Sequence, residues 1–112
     1  MKQRDLFLVP FPFSDQSGRK VRPVIIISNS FFSEDSEDIL VVGVTSNLSK
    51  DRYSVPLTNK DLEEGNLLTP CCIKAENILK IDKELIIKKI GKVKKEILNK
   101  TIFKIFELIK ED

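Results

Sequence analysis

The chain contains no histidine and no tryptophan. The first absence removes every mechanism that needs imidazole as its general base, from serine hydrolase triads to ribonucleases built on a histidine pair. Only two cysteines occur, and they are neighbours, Cys71 and Cys72. Adjacent residues are too close for an ordinary bridge, and two thiols side by side do not make a zinc site. They are expected to be reduced, in or beside a strand with one pointing inward, in a chain that works in a reducing compartment, the cytoplasm. No apolar run approaches the roughly 18 residues of a membrane span, and the charged opening Met1-Lys2-Gln3-Arg4-Asp5 does not read as a signal peptide. Phosphate-cradling and dinucleotide-binding glycine patterns are missing too. The acids Glu34, Asp35, Glu37 and Asp38 lie along one loop rather than converging, so no two-metal centre, and no metal or cofactor at all, is expected.

What is present fits one small globular domain spanning residues 1–112, with 41% hydrophobic residues and a net charge of only +2. That charge alone does not announce a nucleic-acid binder. Lysines do collect between Lys83 and Lys104, where eight of them face two acids; a solvated helix face is the plainest account of the run.

Short β-branched runs dominate the first ninety residues or so. Leu6–Val9 reads as a strand that must lie at an edge, or end, near Pro10, because proline removes a ladder donor. Residues 14–20 are polar and contain a glycine, which reads as a loop. Val24–Ile27 predicts a strand buried on both faces. An acidic loop is expected over Asn29–Asp38. Ile39–Thr45 predicts another strand, with Gly43 a site for a bulge. Tyr53–Leu57 is a short strand, Asn59–Pro70 mostly loop with a turn at Gly65-Asn66, and Cys71–Ile81 a longer strand. A turn at Asp82–Leu85 leads to a strand over Ile86–Val93. In Lys94–Lys110 the spacing changes: Ile97, Leu98, Thr101, Ile102, Ile105, Phe106 and Ile109 recur at three- and four-residue steps, one face of an amphipathic helix. Five or six short strands and one terminal helix predict a mainly β (α+β) domain. The expected form is a small SH3-like antiparallel barrel with the helix packed across it.

Candidates for chemistry are few. Arg22 opens a buried strand, and arginine there reaches a loop, a carboxylate or a phosphate. Pro23 holds it in an extended conformation. A tie to Asp5, Asp15 or a backbone carbonyl is the purely structural account of Arg22. Thr45 and Ser46 end the next long strand, where hydroxyls also serve simply to cap loops.

These segments together resemble a family. Arg22-Pro23-Val24-Ile25-Ile26-Ile27-Ser28 after a Pro-Phe strand end and a glycine-containing loop looks like the opening of MazF/PemK toxins. Val42-Gly43-Val44-Thr45-Ser46 is similar to the family strand that ends in a hydroxyl. Ala75-Glu76-Asn77-Ile78-Leu79-Lys80-Ile81-Asp82-Lys83-Glu84-Leu85 matches its later strand and Ile-Asp-Lys turn, and Ile90-Gly91-Lys92-Val93 precedes the terminal helix. Pro10-Phe11-Pro12-Phe13-Ser14-Asp15 is closer to the PemK-like branch. The family usually carries Gly-Asp before its first strand; this chain has Arg4-Asp5.

The resemblance implies the barrel of CcdB, MazF and PemK toxins and a homodimer, the toxin half of a type II toxin–antitoxin pair. It implies metal-independent, sequence-specific cleavage of single-stranded RNA, and an antitoxin that covers the RNA groove. Arg22 falls on the family's catalytic arginine and Thr45 on its catalytic hydroxyl, with Ser46 the neighbour if the register slips. Phe13 is placed to stack on a base, Gln16, Asn47 and Asn77 to read base edges, and Arg19 and Lys20 to hold phosphates. Phe13 has core packing, and Arg19 and Lys20 solvated loop charge, as their plainer accounts. Two other functions fit the same architecture: a CcdB-like toxin that binds DNA gyrase through its terminal helix, and an RNA- or peptide-binding SH3-like module without catalysis.

Overall fold

A computed structural model describes residues 1–11, 20–48 and 50–112, with the side chains of Phe11 and Lys20 left aside. Seven strands form one curled antiparallel sheet: β1 (Asp5–Phe11), β2 (Lys20–Ile26), β3 (Asp38–Thr45), β4 (Ser54–Leu57), β5 (Leu62–Gly65), β6 (Cys71–Asp82) and β7 (Lys88–Val93), in spatial order β4-β6-β3-β2-β1-β7-β5. A short helix α1 (Ser30–Asp35) sits between β2 and β3, and α2 (Lys95–Ile109) ends the chain. This is the mainly β half-barrel with a terminal helix that the residue pattern predicts.

Both faces of the sheet are apolar, which is why the β-branched runs show little polar alternation. On one face Leu6, Ile25, Val42, Val44, Val55, Leu57, Ile73 and Val93 pack with Ile97 of α2. On the other, Phe7, Val9, Val24, Ile26, Ile39 and Val41 form a second cluster, flanked by Leu79, Ile81 and Ile86. Alternation along β2 sends Ile25 to the first and Val24 and Ile26 to the second, as expected of a strand buried on both sides. Cys71 and Cys72 form no disulfide and both are buried, one more than expected, because β6 is covered on both faces there. Burial pushes the Cys71 thiol up, partly offset by a hydrogen bond with the Thr69 side chain.

Pro10 behaves as its chemistry requires. β1 is an interior strand, but β7 pairs only with Asp5–Leu8, so Pro10 faces β2 alone, opposite Val21. At the other end of β1, Arg4 takes φ 81°, the left-handed region that favours glycine. An arginine thus holds a positive φ where the family usually has glycine. Its guanidinium donates to the Val93 carbonyl at 3.0 Å and reaches Glu63 at 3.4 Å, contacts that offset the strained backbone. Asp5 accepts from the Lys2 backbone at 2.8 Å. Its other carboxylate oxygen lies 3.3 Å from Lys89 Nζ, close enough for an ion pair though not aligned as a hydrogen bond.

Four expectations change. Asn29–Asp38 is not all loop: the Asn29 side chain accepts from Phe32 N and starts α1, which Ser28 and Ser33 pin through hydroxyls 2.9 Å apart. Residues 62–65 pair with β7 as a further strand, made possible by Gly65, whose φ of 84° and contact with Ile90 leave no room for a Cβ. The lysine run is spread over a turn, β7 and α2 rather than one helix face, and Lys89 is tied to Glu64 at 3.0 Å. Finally, α2 buries only Ile97, Leu98 and Thr101; Ile102, Phe103, Phe106 and Ile109 are exposed.

Candidate active site

The second apolar face changes character in its last row. Val24 stands opposite Gly43 in the β2–β3 ladder, so the same register brings Arg22 opposite Thr45. The Arg22 guanidinium donates to Thr45 Oγ1 at 3.2 Å. Thr45 Oγ1 also accepts from the backbone of Asn47 at 3.1 Å, which turns the chain out of β3 and aims the hydroxyl back toward the arginine. Both side chains are half-buried. The tie to Asp5 considered for Arg22 is not made: Asp5 is taken by Lys2 and Lys89.

β6 supplies the opposite wall through a bulge. Val42 pairs with Ile78, yet the next residue, Gly43, pairs with Lys74, so Ala75–Asn77 have no counterpart on β3. The bulge expected at Gly43 thus puts its extra residues in the partner strand. It turns Asn77 into a small cleft of about 30 Å³ lined by Arg22, Gly43, Val44, Thr45, Lys74 and Asn77.

Lys74 is the residue that sequence reasoning missed. It stands inside the buried run Cys71–Ala75 and reads there as an ordinary strand residue. Its ammonium donates to Asp51 and, at 3.1 Å, to Ser54 Oγ, and lies 3.6 Å from Glu76. The hydrogen bond to Asp51, more than the nearby charge of Glu76, raises its pKa against some loss of hydration. Lys74 is therefore a fixed cation, not a base. Asp51 also accepts from Tyr53 N and Ser54 Oγ, so one carboxylate fastens the β3–β4 connection to β6. The only sequence signal for Lys74 is a charge inside the apolar run Cys71–Ala75.

Of the other candidates, Ser46 and Asn47 are exposed just past Thr45 and do not line the cleft. Phe13, Gln16 and Arg19 lie outside the described residues, as does the side chain of Lys20. Among the described residues no three Cys, Asp or Glu side chains gather as a metal site, and no helix is long and apolar enough to cross a membrane.

Arg22, Lys74, the Thr45 hydroxyl and the Asn77 amide thus line one cleft, with the charge of Lys74 shared by Asp51 and Glu76. Such a set can bind a tetrahedral anion and stabilise charge that develops on it.

Similar folds carry related names. An endoribonuclease in complex with its cognate antitoxin from a mycobacterial species superposes with a TM-score of 0.79 at 18% identity, covering 100% of this chain and 97% of that one. The Mycobacterium tuberculosis toxin MazF-mt6 gives 0.77 at 18% identity, over 97% and 99%. MazF from Deinococcus radiodurans gives 0.79 at 15% identity, over 99% and 97%. At such identities these likenesses establish the fold. No curated protein sequence matches the chain. Residues 2–106, however, match the family described as PemK-like, MazF-like toxins of type II toxin–antitoxin systems, and the chain belongs to that family.

Proposed function

We propose that this toxin is a metal-independent endoribonuclease that cuts single-stranded RNA at a short sequence. The observation that carries the reading is the 3.2 Å contact between Arg22 and Thr45 in the cleft. The substrate brings its own nucleophile: the ribose 2′-OH attacks the adjacent phosphate and displaces the next nucleotide's 5′-oxygen, leaving a 2′,3′-cyclic phosphate (or its opened form) and a 5′-hydroxyl. RNA, not DNA, is therefore the polymer cut, and the protein needs neither imidazole nor a metal-bound water. Its task is to hold the reacting groups in line and to stabilise charge on the phosphorane. Arg22 offers a planar fork to two phosphate oxygens. Thr45 donates to a non-bridging oxygen and orients the 2′-OH. Lys74 adds a second positive charge at the opposite wall. Asn77 and Asn47 read base edges, and Ser46 stands beside them. Phe13, Gln16, Arg19 and Lys20 complete the RNA contacts.

By the same reading the toxin works in the cytoplasm as a homodimer and is silenced by an antitoxin, the partner that the similar mycobacterial endoribonuclease binds. The exposed Ile102, Phe103, Phe106 and Ile109 on α2 are the kind of apolar patch that an assembly covers. That patch also favours a second reading, a CcdB-like toxin that grips gyrase with its terminal helix.

The test is to incubate purified protein with a mixed-sequence single-stranded RNA in EDTA, beside Arg22→Ala, and to map the ends. Cuts at a short motif, lost in Arg22→Ala, are expected. No cuts over a broad pool overturn the ribonuclease reading, and gyrase inhibition then becomes the assay that matters.

A further inference from the structure

Three adjacent strands leave the sheet at the same end as the cleft. β3 exits through Thr45 into Ser46-Asn47, β6 enters from Thr69-Pro70, and β4 exits into Thr58-Asn59-Lys60. The register makes this a row across the sheet: Thr45 faces Cys72, and Cys72 faces Pro56. Neighbouring strands stand about 4.8 Å apart. The space between the β4 and β6 connections therefore begins roughly one strand from Thr45.

That space is a groove of about 340 Å³ lined by Thr58, Asn59, Lys60, Leu67, Leu68, Thr69 and Pro70. It is far larger than the cleft and falls within the size range of ligand sites. Its walls are set in advance. The Asn59 amide accepts from Leu67 N at 2.6 Å and donates to Leu67 O at 3.3 Å, locking one wall to the other. Thr58 and Asp61 close a reciprocal cap beneath, with Thr58 N donating to the Asp61 carboxylate at 2.8 Å. An amide has two N–H donors and two acceptor lone pairs, so one of each on Asn59 is left beyond those bonds. A donor and an acceptor side by side are what the edge of a nucleobase meets. Leu68, wholly exposed at the rim, and Pro70 give an apolar surface for the base's flat face, and Lys60, also exposed, gives a charge for its phosphate.

We infer that this groove seats a nucleotide of the RNA that flanks the cleaved phosphate. The inference rests on the ribonuclease reading above and extends it: the cleft holds the phosphate, and the groove holds a neighbouring base and thereby lengthens the recognised sequence. The groove's place at the same sheet end as the cleft favours RNA over a peptide as the occupant.

The test uses the cut motif once mapped, in oligonucleotides with a 2′-deoxyribose at the cleaved position. One series is trimmed base by base on the 5′ side and one on the 3′ side. Binding is read by fluorescence anisotropy for wild type, Leu68→Asp and Lys60→Glu. Both substitutions lie at exposed positions and leave the core alone. For the wild type, removing a base from one side is expected to weaken binding roughly five- to tenfold, the usual worth of one seated base. In Leu68→Asp that step shrinks to about twofold or less, while the shortest RNA binds as it does to the wild type. Lys60→Glu shrinks the same step and lowers the salt dependence by about one phosphate contact. Steps that are identical in all three proteins overturn the inference, as do variants that weaken every length equally. So does a loss of antitoxin binding with RNA binding unchanged, which would make the groove a peptide site. Cleavage of the shortest all-ribose RNA by all three proteins is scored separately, so the groove can fail while the ribonuclease reading stands.

Discussion

The two faces of the sheet end differently. The face under α2 stays apolar to its last row, where Val44, Val55, Leu57, Cys71 and Ile73 close the core. The opposite face is equally apolar through Phe7, Val9, Val24, Ile26, Ile39 and Val41, then turns to Arg22, Thr45 and Lys74 within one or two residues. One end of one face carries the candidate site, and β2, β3 and β6 bring its residues there. The difference teaches that the site is found where burial continues but its chemistry switches. A half-buried arginine or lysine at the end of a buried strand is costly unless it has a task.

The sharpest way to test that contrast is to separate activity from stability. Arg22→Ala is expected to lower the cleavage rate by about 10²–10³, the usual effect of removing one preorganised donor from a developing charge. Its urea midpoint should stay close to that of the wild type, because Arg22 belongs to neither core cluster. Arg22→Lys should recover little, since an ammonium cannot present two parallel N–H donors to one phosphate. Full activity in Arg22→Lys would mean that charge alone matters at this position.

The other face should answer in the reverse sense. Ile73 is fully buried between Val44 and Val55. Ile73→Ala should cost about 2–5 kcal/mol of stability through lost burial and the cavity left behind. Cleavage per folded molecule should change little. A larger fall in rate than in stability would show that the two faces are coupled, and that the site depends on inner packing as well as on its own row.

How far this division is visible in the residues follows from the reach of each signal. Val24–Ile27 and Ile39–Thr45 announce strands because their β-branched side chains are local facts. Leu62–Gly65 does not, because Leu-Glu-Glu-Gly becomes a strand only through its partner β7, some 30 residues on. α1 is hidden for a related reason: its start depends on the Asn29 cap and its hold on a serine pair, not on apolar spacing. The apolar period of α2 gives its face correctly, yet not how far the barrel extends beneath it, so the exposure of Phe103 and Phe106 could not be read. Arg22 and Thr45 stood out through the family's motifs, and the structure brings them together. Lys74 did not, since nothing nearby in sequence shows that Asp51 and Ser54 come to meet it.

Thr45→Val tests the row from the neutral side. It keeps the shape and removes the hydroxyl that receives Arg22 and the Asn47 backbone. The expected loss of rate, on the order of tenfold to a hundredfold, is smaller than for Arg22, because a neutral donor stabilises an anion less than a charged one. A Thr45→Ser protein should recover much of the rate. If it does not, the methyl group's packing is what Thr45 contributes.

The smallest effect is expected at Lys74, and it carries a pH signature. Its pKa is raised above the ordinary lysine value of 10.5 by the bond to Asp51. A raised folded-state pKa means the clasp's contribution to stability is complete below the unfolded value and is lost as pH climbs through the folded one. Wild type should therefore exceed Lys74→Met in urea midpoint by a constant margin between pH 7 and 9, a margin well below the Ile73→Ala effect because Asp51 is largely exposed. The two curves should converge above about pH 10.5. Because Asp51 fastens the chain just after Asn47, the same variant should also loosen the β3–β4 connection, seen as faster amide exchange at Tyr53 and Ser54. A margin that persists unchanged through pH 11 would mean that the lysine's aliphatic stem, packed in the strand row, and not its charge, supports that end of the sheet.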